Sequence, residues 1–397
     1  MTPKTSAVLG LSTILLVSTG LVPAAVAADP EPLRIGVPTT RSGPYALLGD
    51  QVVRAVEFAV AEANAKGGVA GRKVEFRVAD DEASPDAGRR AGEKLATEGY
   101  RILAGTVSSA VGLAMSTQLE RWDAMYVSTI NKSPKITGDS CKPRMFRTNH
   151  SDDMDIAIVG PWLKDQPQKV WGVIAADYLW GRGSGAAFKT TAEGLGRTVK
   201  TEVFPPVGTT DYAPYITQLR DSGVEGVWVA LAGGDAINFI KQAKQFGLTD
   251  KMVMFGHNVV SPSTAKAVAK EMVGIWGNMG YAAAVDTPEN KAFVAAWKAK
   301  YDAEPTDYEG ETYAGMKVIF AAVEKAKSVA PADVSKALEG LSATTPFGSV
   351  TMRAADHQLE VPNYLGRVLD KGGAFPIVVE RTFDAKTATP VNAACKM

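Results

Sequence analysis

Short apolar segments alternate with helical segments along most of the chain, and this alternation limits the possible fold more than any other feature. The segments "LRIGV", "KVEFRVAD", "RILAG" and "AMYVST" are rich in β-branched residues, as strands are. Between them lie stretches such as "QVVRAVEFAVAEANAKGG", in which apolar residues recur with helical spacing before a glycine stop. Strands that alternate with helices usually pair in parallel, so the pattern predicts a parallel sheet with helices on both faces.

The same pattern begins again near "PRMFRTN", with the strand segments "KVWGVIAAD", "GVEGVWVAL" and "KMVMFGH". A helical region runs from Tyr281 to about Leu341, and the following "GSVTMRAADHQLEVPNYLGRVL" is typical of a β-hairpin. No long Pro/Ser-rich linker separates the two halves. The sequence therefore predicts an α/β protein made of two doubly wound lobes that touch each other.

The first residues predict export. Lys4 supplies a positive start, residues 7–22 form an apolar stretch, and "AVA" at 25–27 has the small residues of a cleavage site. We expect a signal peptide over residues 1–27 and a soluble periplasmic protein, because the apolar stretch is too short and too interrupted for a permanent anchor. The alternative is a buried N-terminal helix.

The content of charged residues, cysteines and histidines argues against binding to nucleic acid, to a membrane surface or to a metal ion. Lys plus Arg and Asp plus Glu each number 43, which predicts no nucleic-acid footprint and no polybasic membrane patch. In an oxidising compartment, Cys141 and Cys395 favour a disulfide over a metal site. His150, His257 and His357 have no metal-ligand spacing, so no metal is expected.

The motif "GRGSGA" (181–186) matches a dinucleotide fingerprint, but "YLW" (178–180) separates it from the preceding strand. No P-loop, G-x-S-x-G or H-E-x-x-H motif is present. The acidic pairs Asp80–Asp81 and Asp152–Asp153 are expected to be solvated residues rather than an acid/base couple. We therefore expect no cofactor and no catalytic activity, with an exported enzyme as the alternative.

Loops at the carboxyl ends of strands are where ligands bind in open α/β sheets. Hydroxyls and helix N-terminal N–H groups in such loops can bind a carboxylate, and an indole offers apolar contact area. The candidates in these loops are Tyr45, Ser108, Ser109, Ser128, Trp180, Asp235 and His257.

Four of these candidates have a structural alternative. One of Ser108 and Ser109 is explained by N-capping of the next helix, and Asp235 by capping of the helix "AINFIKQAKQ". The alternative for Trp180 is an aromatic side chain at the lobe surface. The alternative for His257 is a histidine that is hydrogen-bonded at the end of a strand.

The chain resembles the type I periplasmic solute-binding proteins of ABC importers, in the branch for branched-chain amino acids, amides and aromatic acids. The resemblance lies in "LRIGVPTTRSGPYALLGDQ", "AGTVSSAV", "YVSTINKSPKITG", "MFRTNHSD", "ADYLWGRGSG" and "FIKQAKQFGL". It implies two lobes joined by three crossovers, with residues 28–149 and 282–350 in lobe 1 and residues 150–281 and 351–397 in lobe 2. It also implies a monomer that delivers a small ligand to an ABC permease, and a sensor subunit of the same fold is the alternative.

The resemblance also assigns site residues. It implies that Ser109 holds the ligand carboxylate, helped by the backbone of Thr129 and by Lys132. Trp180 stands where a tyrosine is common in the family, and Asp235 follows the double glycine. The segments "TGDSCKP" and "CKM" resemble a subgroup in which the two cysteines pair.

One departure from the family affects the expected ligand. Amino-acid binders carry an acidic residue near "FGHN", where this chain has His257 and Asn258. Without that carboxylate a buried ligand ammonium is costly, unless Asp235 takes the role. The presence of Lys132 in place of a small polar residue also argues against a ligand that carries an ammonium group. An aromatic or aliphatic acid or an amide is therefore as credible a ligand as an amino acid.

Overall fold

The computed structural model describes residues 1–7 and 30–397. Met1–Pro30 and Glu31–Met397 are separate units, and the account below concerns the second. Most of the predicted signal peptide (residues 1–27) lies outside the described residues, so it stays a prediction. Within the described part of the chain, no helix has both the length and the apolar character needed to cross a membrane.

Parallel strands joined by helices organise Glu31–Met397, as the alternating pattern predicts. The strands are β1 (Leu33–Thr39), β2 (Val74–Asp80), β3 (Ile102–Gly105), β4 (Met125–Ser128), β5 (Met145–Arg147), β6 (Val170–Ala175), β7 (Thr198–Val203), β8 (Gly226–Ala230), β9 (Val253–Gly256), β10 (Trp276–Met279), β11 (Ser342–Thr345), β12 (Gly348–Met352), β13 (Leu359–Glu360), β14 (Asn363–Val368) and β15 (Ile377–Phe383). The α-helices are α1 (Ala46–Ala65), α2 (Pro85–Thr97), α3 (Ser109–Ser116), α4 (Asp152–Asp165), α5 (Leu179–Gly194), α6 (Ala213–Asp221), α7 (Gly233–Gln245), α8 (Pro262–Val268), α9 (Pro288–Tyr301), α10 (Asp307–Ala326), α11 (Pro331–Leu338) and α12 (Ala385–Ala388).

The strand order determines where a ligand can bind. The first sheet has the order β2-β1-β3-β4-β5, and the second has β15-β14-β10-β9-β8-β6-β7. Strands β1 to β5 pair in parallel, as do β6 to β10, whereas β14 and β15 are antiparallel. The winding reverses between β1 and β3 in one sheet and between β6 and β8 in the other. Such switch points leave a crevice at the carboxyl ends of the strands, so the loops after these four strands border the natural binding position.

Local sequence explains where helices α4 and α10 begin. Ser151 caps α4, because its Oγ accepts the Met154 N–H at 3.4 Å. Thr306 and Glu309 form a reciprocal capping box at the start of α10, with bonds of 3.2 and 2.8 Å. Both helices carry acidic residues in their first turn, where the helix dipole stabilises negative charge.

The "GRGSGA" segment (181–186) lies inside α5, which begins at Leu179. Its backbone is therefore helical and does not form the phosphate-binding turn of a dinucleotide fingerprint. A Cβ atom on Gly181 would lie 2.0 Å from the carbonyl oxygen of Ala176. This glycine serves close packing between the helix start and the end of β6.

The predicted C-terminal hairpin is only partly correct. Strand β12 pairs antiparallel with β11 and with the two-residue β13, whereas β14 joins the other sheet beside β10. Pro362 separates β13 from β14, and its missing N–H ends a strand ladder. Strand β12 also runs across the division expected at residue 350, and the lobe boundaries stay a prediction.

The predicted disulfide is confirmed. Cys141 and Cys395 are bonded, with their Cα atoms 5.6 Å apart and a separation of 254 positions in the sequence. The bond fixes the C-terminal tail to the segment that precedes β5.

Candidate ligand-binding site

A cavity lies where the loops after β1, β3, β6 and β8 approach one another, beside the loop after β4 and the start of α10. The empty space between its walls is about 340 Å³, including the part that opens to solvent. The lining residues are Tyr45, Leu48, Val107, Ser109, Ile130, Lys132, Tyr178, Trp180, Ala232 and Tyr308.

Four of the ten lining residues are aromatic. The ring centroids of Tyr45 and Tyr178 are 5.8 Å apart, and those of Tyr178 and Trp180 are 6.0 Å apart. The Tyr45 hydroxyl is buried and has no hydrogen-bond partner among the residues that the structure describes. Burial raises the pKa of Tyr45, so this hydroxyl stays protonated and can donate to a ligand.

Ser109 places a hydroxyl at the start of α3. Its Oγ accepts the Ser133 N–H at 3.2 Å, which leaves its own hydrogen available to a ligand. The adjacent Ser108 occupies the N-cap position but makes no side-chain capping bond. The capping alternative therefore explains neither hydroxyl.

Lys132 brings a buried positive charge to the cavity. Its Nζ lies 3.5 Å from Asp155 Oδ2 and 3.5 Å from Glu311 Oε1, and the residue is only 4% exposed. Nζ has no hydrogen-bond acceptor within the described part of the chain. Burial opposes the charge, but the two carboxylates outweigh burial and raise the pKa of Lys132.

Asp155 is the main anion behind Lys132. Its Oδ1 accepts the Asn363 amide at 2.8 Å, and its Oδ2 lies 3.0 Å from His257 Nε2. Burial disfavours the carboxylate form, but Lys132 and the hydrogen bond from His257 prevail and hold the pKa of Asp155 well below its usual range. Asp155 is therefore ionised at neutral pH.

The His257 ring is fixed in one tautomer. Trp228 donates to Ser184 Oγ at 2.9 Å, and Ser184 Oγ lies 2.6 Å from His257 Nδ1. Ser184 therefore donates to Nδ1, and His257 donates from Nε2 to Asp155. Burial lowers the pKa of His257, so the ring is neutral at pH 7. The order Ser184–His257–Asp155 resembles a catalytic triad, but Ser184 is fully buried and does not line the cavity.

Further acids surround this ion pair. Asp152 Oδ1 accepts the Trp180 indole N–H at 2.9 Å, whereas its Oδ2 has no partner among the described residues. Burial, reinforced by the charge of Asp155, raises the pKa of Asp152 well above its usual value. Burial and the charge of Glu311 raise the pKa of Asp307 to about 8. We expect Asp307 to be mostly protonated at pH 7.

Four of the ten predicted ligand-binding residues line the cavity: Tyr45, Ser109, Lys132 and Trp180. They follow four different strands, β1, β3, β4 and β6, three of which border the two switch points. The other six do not line it: Ser108, Ser128, Thr129, Asp235, His257 and Asn258.

Their own partners explain why most of the six lie outside the cavity. Ser128 Oγ donates to Asn131 Oδ1 at 3.1 Å, and Thr129 Oγ1 accepts from Thr312 at 3.2 Å. The backbone N–H of Thr129 donates to Gly105 O at 3.1 Å, so it continues the ladder between β3 and β4. The hydroxyls of Ser128 and Thr129 and the Thr129 N–H are therefore hydrogen-bonded within the protein.

Asp235 and Asn258 are engaged in the same way. Asp235 lies in the first turn of α7 and accepts the Gly208 N–H at 3.1 and 3.2 Å, so it joins the helix start to the loop after β7 rather than capping α7. Asn258 donates to Asp155 at 3.4 Å from a left-handed backbone conformation with φ of 57°. A role of these residues in ligand binding stays a prediction.

The expectation of solvated acidic pairs is wrong for two residues. Asp81 is fully buried and accepts the Thr40 hydroxyl at 2.7 Å, and Asp152 is 1% exposed. Sequence reasoning also missed Tyr308 and Glu311, because both lie on α10, far along the chain from the strand-end loops. The capping box before α10 marks the helix start but does not indicate which face meets the cavity.

Comparisons with known proteins agree with this geometry. A family model described as "Periplasmic binding protein" matches residues 32–374. Over 315 residues the chain is 30% identical to the Leu/Ile/Val-binding protein homolog 8 of Brucella abortus (strain 2308), covering 76% of this chain and 78% of that protein.

Two solved structures are similar over nearly their whole length. One is a solute binding protein of an ABC transporter from Rhodopseudomonas palustris HaA2 in complex with p-hydroxybenzoic acid (26% identity, TM-score 0.80, 90% of this chain and 98% of that chain). The other is a solute binding protein from R. palustris in complex with benzoate (23% identity, TM-score 0.83, 92% and 100%). At 23% identity, the comparison with the benzoate-bound protein shows a similarity of fold.

Proposed function

This chain belongs to the periplasmic binding protein family, and from that premise we propose that it captures a small carboxylate with an apolar, preferably aromatic, body and delivers it to a membrane permease. It is a solute-binding protein of the ABC transporter type. The proposal concerns the ligand and its destination.

The ammonium group of Lys132 is the observation that carries the proposal. It is buried at the wall of the cavity, 3.5 Å from one oxygen each of Asp155 and Glu311, and its three N–H donors form no hydrogen bond with the described residues. A ligand carboxylate can accept hydrogen bonds from these donors together with one from the hydroxyl of Ser109. Charge-assisted hydrogen bonds are about twice as strong as neutral ones, so they fix the orientation of the ligand.

The rest of the cavity suits a flat apolar body. Tyr45, Tyr178, Trp180 and Tyr308 supply aromatic surface, and Leu48, Val107 and Ile130 supply aliphatic surface. The related protein from R. palustris HaA2 was solved with p-hydroxybenzoic acid, which combines one carboxylate with an aromatic ring. That likeness supports an aromatic acid over a purely aliphatic one.

Capture requires that the cleft close over the ligand. The chain leaves the first main sheet after β5, leaves the second after β10 for helices α9 to α11 and the small sheet β11-β12-β13, and returns to the second main sheet between β13 and β14. Contacts such as that between Tyr45 and Tyr178 join the loops of the two sheets directly above the cavity. Closure about the three connections would remove water from the ligand, and the permease would recognise the closed form.

A thermal-shift screen tests the ligand class. Benzoate, 4-hydroxybenzoate and 3-phenylpropanoate should each raise the melting temperature, because a ligand that binds only the folded state stabilises it by about 2.7 kcal/mol at 100 times its Kd. Benzamide is the matched control without a carboxylate charge. Equal stabilisation by benzamide and benzoate would contradict the proposal, as would no response to any carboxylate.

A transport assay tests whether the protein delivers its ligand to a membrane permease. Proteoliposomes that contain the cognate permease should take up the labelled ligand only when this protein is present. Binding without any uptake would favour a sensor subunit of the same fold.

A further inference from the structure

The ammonium group of Lys132 lies between the cavity and two buried carboxylates. From this placement we infer that Lys132 selects the charge of the ligand. Its ammonium fills the position in which the amino group of a ligand would bind, so the cavity takes carboxylates that lack an amine. This inference rests on the proposed function, since it narrows the ligand class of the same cavity.

Three separate elements hold this internal cation. Lys132 is in the loop after β4, Asp155 is in the first turn of α4, and Glu311 is in the second turn of α10. Nζ lies 3.5 Å from an oxygen of each carboxylate, and all three residues are at least 95% buried. The fold therefore builds a binding position for one ammonium group and fills it with its own side chain.

Glu311 depends on this cation. Neither of its carboxylate oxygens has a hydrogen-bond partner among the described residues. Apart from Lys132, the basic group near it is the His150 ring, whose Nδ1 is 4.0 Å from Oε1. A buried carboxylate without a positive partner is strongly unfavourable, so Glu311 would attract any ammonium that replaced Lys132.

A ligand amine meets two obstacles in the wild-type protein. It would lie beside the like charge of Lys132, and it would lose its hydration without gaining a free carboxylate. Both obstacles disappear when Lys132 is shortened, because Asp155 and Glu311 then have no cation. The same change creates space for a small amine.

The first experiment needs no ligand. Lys132→Ala is melted in ethylammonium chloride and in sodium chloride at equal concentration, beside the wild type and Lys135→Ala. Lys135 is an exposed lysine in the same segment, 2.8 Å from Asp139, and serves as the matched control. Ethylammonium should raise the melting temperature of Lys132→Ala above its value in sodium chloride and leave the other two proteins unchanged. No specific rise would overturn the inference.

The second experiment measures selectivity by calorimetry with 3-phenylpropanoate and phenylalanine, which differ by one amino group. The wild type should prefer 3-phenylpropanoate, and Lys132→Ala should shift the ratio of affinities toward phenylalanine by about tenfold. Adding Glu311→Gln to that variant should remove part of the shift. An unchanged ratio in folded Lys132→Ala would overturn the inference.

The outcomes separate this inference from the proposed function. If the wild type binds neither compound, the proposed ligand class is wrong, and the ethylammonium result still decides the role of Lys132. If the wild type binds the acid but neither experiment responds to the substitution, only the inference fails. If Lys132→Ala does not fold, Lys132→Gln removes the charge while keeping hydrogen-bond donors, and an unchanged affinity ratio in that variant overturns the inference.

Discussion

The indole N–H of Trp180 donates a hydrogen bond to Oδ1 of Asp152 at 2.9 Å. Trp180 lines the ligand cavity, whereas Asp152 belongs to a buried acidic cluster that comprises Asp152, Asp155, Asp307 and Glu311. This single bond therefore connects the wall of the cavity with the cluster that contains the two partners of Lys132. Changes at the wall should affect both ligand affinity and folding stability.

Trp180→Phe tests that connection. The substitution keeps an aromatic wall but leaves Asp152 without its donor, so the free energy of unfolding should fall by about 1–3 kcal/mol. Ligand affinity should fall as well, because the smaller ring covers less of the ligand. Denaturant unfolding and calorimetry measure the two effects, with Trp276→Phe, in β10 and away from the cavity, as the control. Unchanged stability and affinity would disprove the connection.

Ser109→Ala should weaken binding of the carboxylate by about 1.5–3 kcal/mol, the value of a hydrogen bond to a charged group. It should also lower the stability of the unliganded protein by about 1 kcal/mol, because the Ser133 N–H loses its acceptor. Ser108→Ala is the matched control, since that hydroxyl makes no capping bond. Lost stability with unchanged affinity would place Ser109 outside the binding site.

Asp307 should make stability depend on pH. Its pKa in the folded protein is about 8, above the ordinary value of 3.8, because the group is buried and lies near Glu311. Between these two values the folded state binds more protons than the unfolded state, so stability falls as the pH rises through this window. Asp152, whose pKa is also raised, acts in the same direction.

Asp307→Asn should therefore flatten the decline in the free energy of unfolding between about pH 5 and 8. Asp286→Asn, an exposed substitution, should leave the profile unchanged. Denaturant unfolding at several pH values gives the profile. An Asp307→Asn profile that runs parallel to the wild-type profile would show that Asp307 is ionised in the folded protein.

The disulfide should stabilise the fold without contributing to ligand affinity. Cys141 and Cys395 close a loop of 254 positions, and disulfides typically add about 2–4 kcal/mol by limiting the unfolded chain. Cys141→Ser/Cys395→Ser should lose stability of this order and keep its Kd. A reductant should destabilise the wild type but not this variant. Free thiols in denatured, unreduced wild-type protein would contradict the assignment.

The strand-end loops were predictable from the sequence because alternation alone locates them. Tyr45, Ser109 and Trp180 each follow a strand at a switch point, where the winding of the sheet places ligand-binding groups. Lys132 follows β4, and the resemblance to a known family indicated it. These four residues meet in one cavity although they are distant in the sequence.

The acidic cluster was not predictable in the same way. Asp152 is read from the sequence as a solvated residue beside Asp153, and only the approach of Trp180 and the burial of the α4 start explain its position. Glu311 lies within a long helix whose buried face depends on tertiary packing. Charge balance in the site is therefore a property of the assembled fold, and the sequence pattern alone does not contain it.

Calorimetry of the wild-type protein with 3-phenylpropanoate, 3-phenylpropanamide and phenylalanine tests the central claim most directly. The three compounds share one body and differ in the carboxylate and the amine. The account predicts that 3-phenylpropanoate binds at least about tenfold more tightly than the other two, a difference of about 1.4 kcal/mol. Tighter binding of the amide or of phenylalanine would contradict it.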